Sequence, residues 1–82
     1  MILVDIFVPS VDKTYDFQLN EMVPVNILIE EVSEIIGQKE RCSIIGDIQD
    51  LKLCDRKKQC VLPDNSTLYD CGIINGSKLI LI

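Results

Sequence analysis

The chain has 82 residues, a net charge of −5, 48% hydrophobic residues and 26% charged residues. That length is one small domain, with no room for a second domain or a deep active-site cleft, and the apolar content excludes intrinsic disorder. There is no His, so the commonest general acid–base group and metal ligand is missing, and a Ser–His or Cys–His nucleophile cannot be built within the chain.

The charge is uneven. Residues 1–41 hold eight acids (Asp5, Asp12, Asp16, Glu21, Glu30, Glu31, Glu34, Glu40) against three bases (Lys13, Lys39, Arg41), and residues 42–82 balance five against five. Nucleic-acid binding needs a basic surface that displaces counterions. The run Arg56-Lys57-Lys58 is too short for that and reads as a hairpin tip. The four cysteines, Cys42, Cys54, Cys60 and Cys71, are separated by eleven, five and ten residues. These gaps lack the close pairs of a zinc or iron–sulfur site, so no metal or cofactor is expected. Met1-Ile2-Leu3-Val4-Asp5 lacks the basic start of a secretory signal. Free, buried thiols in a reducing, cytoplasmic setting are therefore expected. No apolar run reaches the ~20 residues of a membrane-spanning helix.

The first element is Ile2-Leu3-Val4-Asp5-Ile6-Phe7-Val8, a β-branched and aromatic run closed by Pro9-Ser10, which predicts a strand and a turn. Residues Thr14 to Asn20 alternate polar and apolar, which predicts a second strand with Tyr15, Phe17 and Leu19 inward. The short link makes a hairpin. Pro24 then opens a helix, for which Pro in the first turn is well suited. Val25, Leu28, Ile29, Val32, Ile35 and Ile36 form its apolar stripe, and Glu30, Glu31, Ser33 and Glu34 its polar face. Gly37 is a candidate stop, and the pattern can also run on to Lys39 or Glu40.

Residues 41–49 show no period and read as a loop. Leu51–Asp55 alternates and is expected to be a third strand, Arg56–Gln59 a turn, and Cys60–Leu62 a short fourth strand. Pro63-Asp64-Asn65-Ser66 is a turn signal, Thr67–Gly72 suits one helical turn, and Asn75-Gly76 marks another turn. Ser77–Ile82 is the last strand.

A hairpin cannot bury one face alone, so the helix must cross the sheet. With the last strand beside the first, the order becomes 2-1-5-3-4. The expected fold is therefore α+β, a β-grasp (ubiquitin-like) roll of five strands and one helix, in one domain over residues 1–82. Its core would hold Ile2, Val4, Ile6, Tyr15, Phe17, Leu19, the helix stripe, Leu51, Leu53, Leu68, Leu79 and Leu81.

Residues 62–79 resemble the ubiquitin segment in which a turn, a Thr-Leu pair and an Asp lead into the last strand. Here these are Pro63–Ser66, Thr67-Leu68 and Asp70. Thr67 can cap the turn, Leu68 can anchor it, and Asn75-Gly76 can supply a positive φ. More narrowly, Asp70-Cys71-Gly72-Ile73-Ile74-Asn75-Gly76-Ser77-Lys78-Leu79 resembles the D-C-G-I-x-N-G-x-x-L pattern of the YukD/EsaB family. Those are small ubiquitin-like proteins associated with type VII (WXG100, ESX-like) secretion in Gram-positive bacteria. The resemblance implies a non-conjugating cytoplasmic module that acts by docking on proteins, among them cytosolic parts of the secretion machine or a second copy of itself. In actinobacterial systems a related domain is fused to a membrane component.

Side chains alternate across a strand. With Val4, Ile6, Leu79 and Leu81 inward, the residues Leu3, Phe7, Ile80 and Ile82 face out, and Cys54 of the third strand lies nearby. A contiguous apolar patch of this kind is expected to dock a protein partner. Ubiquitin uses the same sheet face, with Ile80 and Ile82 at matching positions. Two other readings compete. A sulfur carrier or ubiquitin-like modifier would end in Gly-Gly, whereas this sequence ends in Leu81-Ile82, so that reading is disfavoured. A thiol sensor would use Cys54 and Cys60, facing one another across the hairpin that joins strands three and four.

Overall fold

A computed structural model describes residues 1–40 and 51–82. The elements are β1 (Ile2–Val8), β2 (Lys13–Leu19), α1 (Val25–Glu40), β3 (Leu53–Asp55), β4 (Cys60–Val61) and β5 (Lys78–Leu81). The sheet order is β2-β1-β5-β3-β4, with β1 and β5 parallel and the other pairs antiparallel. This is the ubiquitin-like β-grasp arrangement expected from the element order. The loop expected at 41–49 and Cys42 lie outside the described residues.

The β1–β2 hairpin pairs Ile2 with Leu19 through Val8 with Lys13. Val4, Ile6, Val8, Phe17 and Leu19 point to one face and are buried. The hairpin turns through Asp12 at φ 52°, a conformation that Asp tolerates better than most residues. Against the buried face lie Val25, Leu28, Ile29, Val32 and Ile36 of α1. Leu53, Leu79 and Leu81 continue the core across β3 and β5.

The helix departs from its expected stripe at two positions. Ile35 is 41% exposed, whereas Ser33, expected on the polar face, is 5% exposed. The two stand on opposite edges of the stripe centred on Val25, Val32 and Ile36, and the helix is rolled toward Ser33. Gly37 does not stop it, because the helix runs to Glu40. Three further residues join the expected core: Val8 at the end of the first strand, Leu62 at the end of the fourth strand's run, and Ile73 in the segment leading to β5. Ile2, Tyr15 and Leu51 are only partly buried around them.

The start of α1 is closed by backbone rather than by a capping side chain. Val25 N–H donates to Ser66 O at 2.8 Å and Asn26 N–H to Asp64 O at 3.2 Å, so two N–H groups that a helix leaves unpaired are satisfied by a distant turn. Pro24 bridges Thr67, and Tyr69 N–H donates to Glu21 O at 3.0 Å. The turn is itself held by Thr67, whose Oγ1 accepts from Asp70 N–H at 3.1 Å, and by one helical bond from Cys71 N–H to Thr67 O at 3.1 Å. Leu68, fully buried, pins it to the core. At the other end of α1, the Lys39 ammonium sits 5.5 Å from the Tyr15 ring centroid, which ties the last turn to β2.

The expected strands β3 and β4 are shorter than the sequence suggested, at three and two residues. Leu51 and Lys52 still align beside β5, because Lys52 and Ile82 exchange backbone hydrogen bonds. Two substitutions test this account. Leu68→Ala should cost about 2–5 kcal/mol in urea unfolding, through the lost contacts and the cavity left behind. Gln59, at φ 54° in the β3–β4 turn, should gain about 0.5–1 kcal/mol on replacement by Gly, which removes the left-handed strain at some cost in unfolded-chain entropy.

Candidate docking surface

The register of the sheet decides which outward side chains meet. Phe7 is opposite Ile80 across β1–β5, Ile80 is opposite Cys54 across β5–β3, and Cys54 is opposite Val61 across β3–β4. Directly opposed residues share a face. Phe7, Ile80, Cys54 and Val61 therefore form one apolar row over four adjacent strands, about 14 Å long at ~4.8 Å per strand. Thr14 of β2 ends it beyond Phe7. Phe7, Ile80 and Cys54 are partly buried, and Val61 is 54% exposed.

The structure thus brings together three of the five residues expected from the sequence and adds a fourth. Ile82, 55% exposed, lies two residues beyond Ile80 and extends the row at one corner. Leu3 does not join it. It is exposed, but Asp5 stands between it and Phe7, and four residues of extended strand are about 13 Å. Its backbone is instead held by the 75–76 turn, where Leu3 N–H donates to Asn75 Oδ1 at 2.8 Å and Gly76 N–H donates to Leu3 O at 2.7 Å. Gly76 makes this close approach at φ 89°, a conformation glycine adopts without a Cβ penalty. Val61 escaped the sequence reading because a strand of two residues has no alternation to read. The signal that would have found it is the register of β3 against β4.

A charged row borders the apolar one. Asp16 is opposite Asp5, and Asp5 is opposite Lys78. Like charges directly opposed across antiparallel strands repel. The hydrogen bond and the charge of the Asp5 carboxylate raise the Asp16 carboxyl above its ordinary 3.8.

Cys54, Cys60 and Cys71 are free thiols, as expected, and the register does not favour the competing thiol-sensor reading. Cys54 pairs with Val61, whereas Cys60 pairs with Asp55. Successive residues on a strand face opposite ways, so Cys54 and Cys60 sit on opposite faces of the hairpin and do not confront one another. Burial pushes the Cys54 and Cys71 thiols up, with neighbouring charge adding to it. That is the reverse of what activates a thiolate. Among the described residues, no three metal-ligating side chains gather, and no helix is long and apolar enough to cross a membrane.

No protein-family model and no curated protein matches the sequence. Solved structures do match. The EccD5 ubiquitin-like domain from Mycobacterium xenopi superposes with a TM-score of 0.79 at 17% identity, over 99% of this chain and 91% of that one. Caldiarchaeum subterraneum ubiquitin does so at 0.71 and 17%, over 99% and 90%. The ATBAG1 structure, in complex with HSP70, gives 0.75 and 20%, with all of this chain matching 40% of that one. These likenesses establish the ubiquitin-like β-grasp fold.

The opposed aspartates set a pH dependence. An acid whose pKa is raised on folding binds more protons folded than unfolded just above its ordinary value, so stability falls as pH rises through that interval. Asp16→Asn should remove the repulsion. The urea midpoint of the variant should exceed that of the native chain at pH 7, and the difference should shrink as the pH approaches 4.

Proposed function

We propose that this chain is a non-conjugating ubiquitin-like interaction module, an accessory or regulatory component of a bacterial type VII secretion system. It acts in the cytoplasm by docking, with no chemistry of its own. The observation that carries this reading is the Phe7–Ile80–Cys54–Val61 row. It gives a partner a flat, apolar contact on rigid strands, and an exposed patch of this kind is characteristic of protein interaction sites. The type VII assignment is supported by the Asp70–Leu79 segment, whose likeness to the YukD/EsaB pattern is the most specific feature of the sequence. The presence of the EccD5 ubiquitin-like domain among the similar structures supports the same reading.

The geometry makes the proposal selective. A partner lying along the row would bury Phe7 and Val61 at its ends and Ile80 and Cys54 between them. Leu3, beyond Asp5, would stay outside. Phe7→Lys with Ile80→Lys should leave a folded chain, because neither residue is in the buried cluster, and should abolish binding to the cytosolic domains of the type VII membrane components in a purified pull-down. Val61→Lys, which sets a charge at the exposed end of the row, should weaken that binding by about tenfold or more. Leu3→Lys should leave it unchanged. Retained binding in the Phe7/Ile80 variant would refute the assigned surface.

A further inference from the structure

A second surface opens where the β3–β4 turn meets the segment leading into β5. Residues 55–58 on one side and 72–78 on the other line a cleft of about 790 Å³, open to solvent. Its walls carry Arg56, Lys57, Lys58 and Lys78, half of the eight Lys and Arg in the sequence. One carboxylate, Asp55, lies among the lining residues. It is 5% exposed, and its Oδ1 accepts from Lys57 N–H at 3.0 Å, so it is tied to the turn and leaves one anion against four cations on the walls. Arg56, Lys57 and Lys78 are exposed, and none forms a close ion pair among the described residues, Lys78 standing opposite Asp5 across β1–β5.

The cleft has a built wall as well as charge. Lys58 Nζ donates to the Cys71 carbonyl at 3.0 Å, which fixes one ammonium at the rim. Gly72 makes room for it, since a Cβ there would fall 2.9 Å from that Nζ. At Gly76 a Cβ would meet nothing within 4 Å, so that side of the cleft is open space. Ile74, 68% exposed, supplies an apolar wall.

We propose that this cleft binds an acidic peptide segment, a short run of carboxylates interrupted by an aliphatic side chain. Its volume lies in the ~300–1,000 Å³ range of ligand sites and exceeds what one inorganic anion fills. Its lining holds no aromatic ring, so a nucleobase would lack a stacking platform, whereas Ile74 offers contact to an aliphatic group. The planar fork of Arg56 suits one carboxylate, and the lysines act as point charges for others. In a chain of net charge −5, concentrating cations here creates a local field of opposite sign that steers an acidic segment to this end of the sheet. The surface is separate from the Phe7–Val61 row, so either can fail without the other.

The test is a titration of the ¹⁵N-labelled full chain, followed by amide shifts, with the peptide acetyl-Glu-Glu-Leu-Glu-Glu-amide. Matched titrations use acetyl-Lys-Lys-Leu-Lys-Lys-amide and inorganic phosphate. Saturable shifts confined to 56–58 and 72–78, given by the acidic peptide and weakening between about 0.05 and about 0.5 M salt, are expected. Arg56→Glu with Lys57→Glu, both exposed and so compatible with folding, should weaken the acidic peptide by about tenfold or more. Phe7→Lys should leave it unchanged. The proposal is overturned by no saturable shift, by equal shifts from the lysine peptide or from phosphate, or by unchanged affinity in the Arg56/Lys57 variant.

Discussion

The parallel pairing of β1 with β5 is the contact on which the other features rest. It sets Asp5 against Lys78, Ile6 against Leu79 and Phe7 against Ile80. The middle pair is fully buried and forms the centre of the core. The outer pairs lie on the open face, one charged and one apolar. A slip of β5 by one residue in this register would turn that strand over, placing Ile80 under the helix and Leu79 and Leu81 in water. Burial of Val4, Ile6, Leu79 and Leu81 therefore enforces the apolar row as a by-product of the core. The apolar row costs no separate folding information.

A second constraint closes the roll. The 64–69 turn supplies carbonyl oxygens to the first N–H groups of α1 and inserts Leu68 beneath it. Polar satisfaction and apolar burial act at the same place, and this explains how a helix without a Ser, Thr, Asp or Asn cap begins sharply at Val25. Lys52 pairs with Asp64 at 3.2 Å on the same side. Both partners are about two-fifths exposed there, where an ion pair adds little, so the backbone bonds and Leu68 hold this corner.

The fold was legible because its longer elements are strongly periodic. The β-branched and aromatic run Ile2–Val8, the alternation in Thr14–Leu19 and the helical spacing from Val25 determine a hairpin and a crossing helix almost by themselves. The open-face positions of Phe7, Ile80 and Cys54 follow from the same alternation. What escaped was whatever depends on pairing between distant segments. Val61 acquires its place from the β3–β4 register. The competing thiol-sensor reading needs Cys54 and Cys60 to meet, and the register offsets them by one residue and puts them on opposite faces. Ser33 and Ile35 are equally placed on the helix stripe, so periodicity alone cannot choose between them. The basic run Arg56-Lys57-Lys58 reads as a solvated hairpin tip until residues 72–78 are laid against it, because a cleft is a property of two segments and a charge run of one.

The adjacency of β1 and β5 also has a consequence in time. The strands at the centre of the sheet lie more than seventy residues apart in the sequence, and contacts of such separation are reached late, after the entropy of closing a long loop has been spent. During synthesis β1 and β2 emerge first and can form their hairpin, yet Ile6 has no neighbour on its other side until Leu79 has left the ribosome. Until β5 docks, the hairpin carries an unpaired strand edge on the Ile6 side. The acidic excess of the first half gives such partly folded chains a like charge, which disfavours edge-to-edge association.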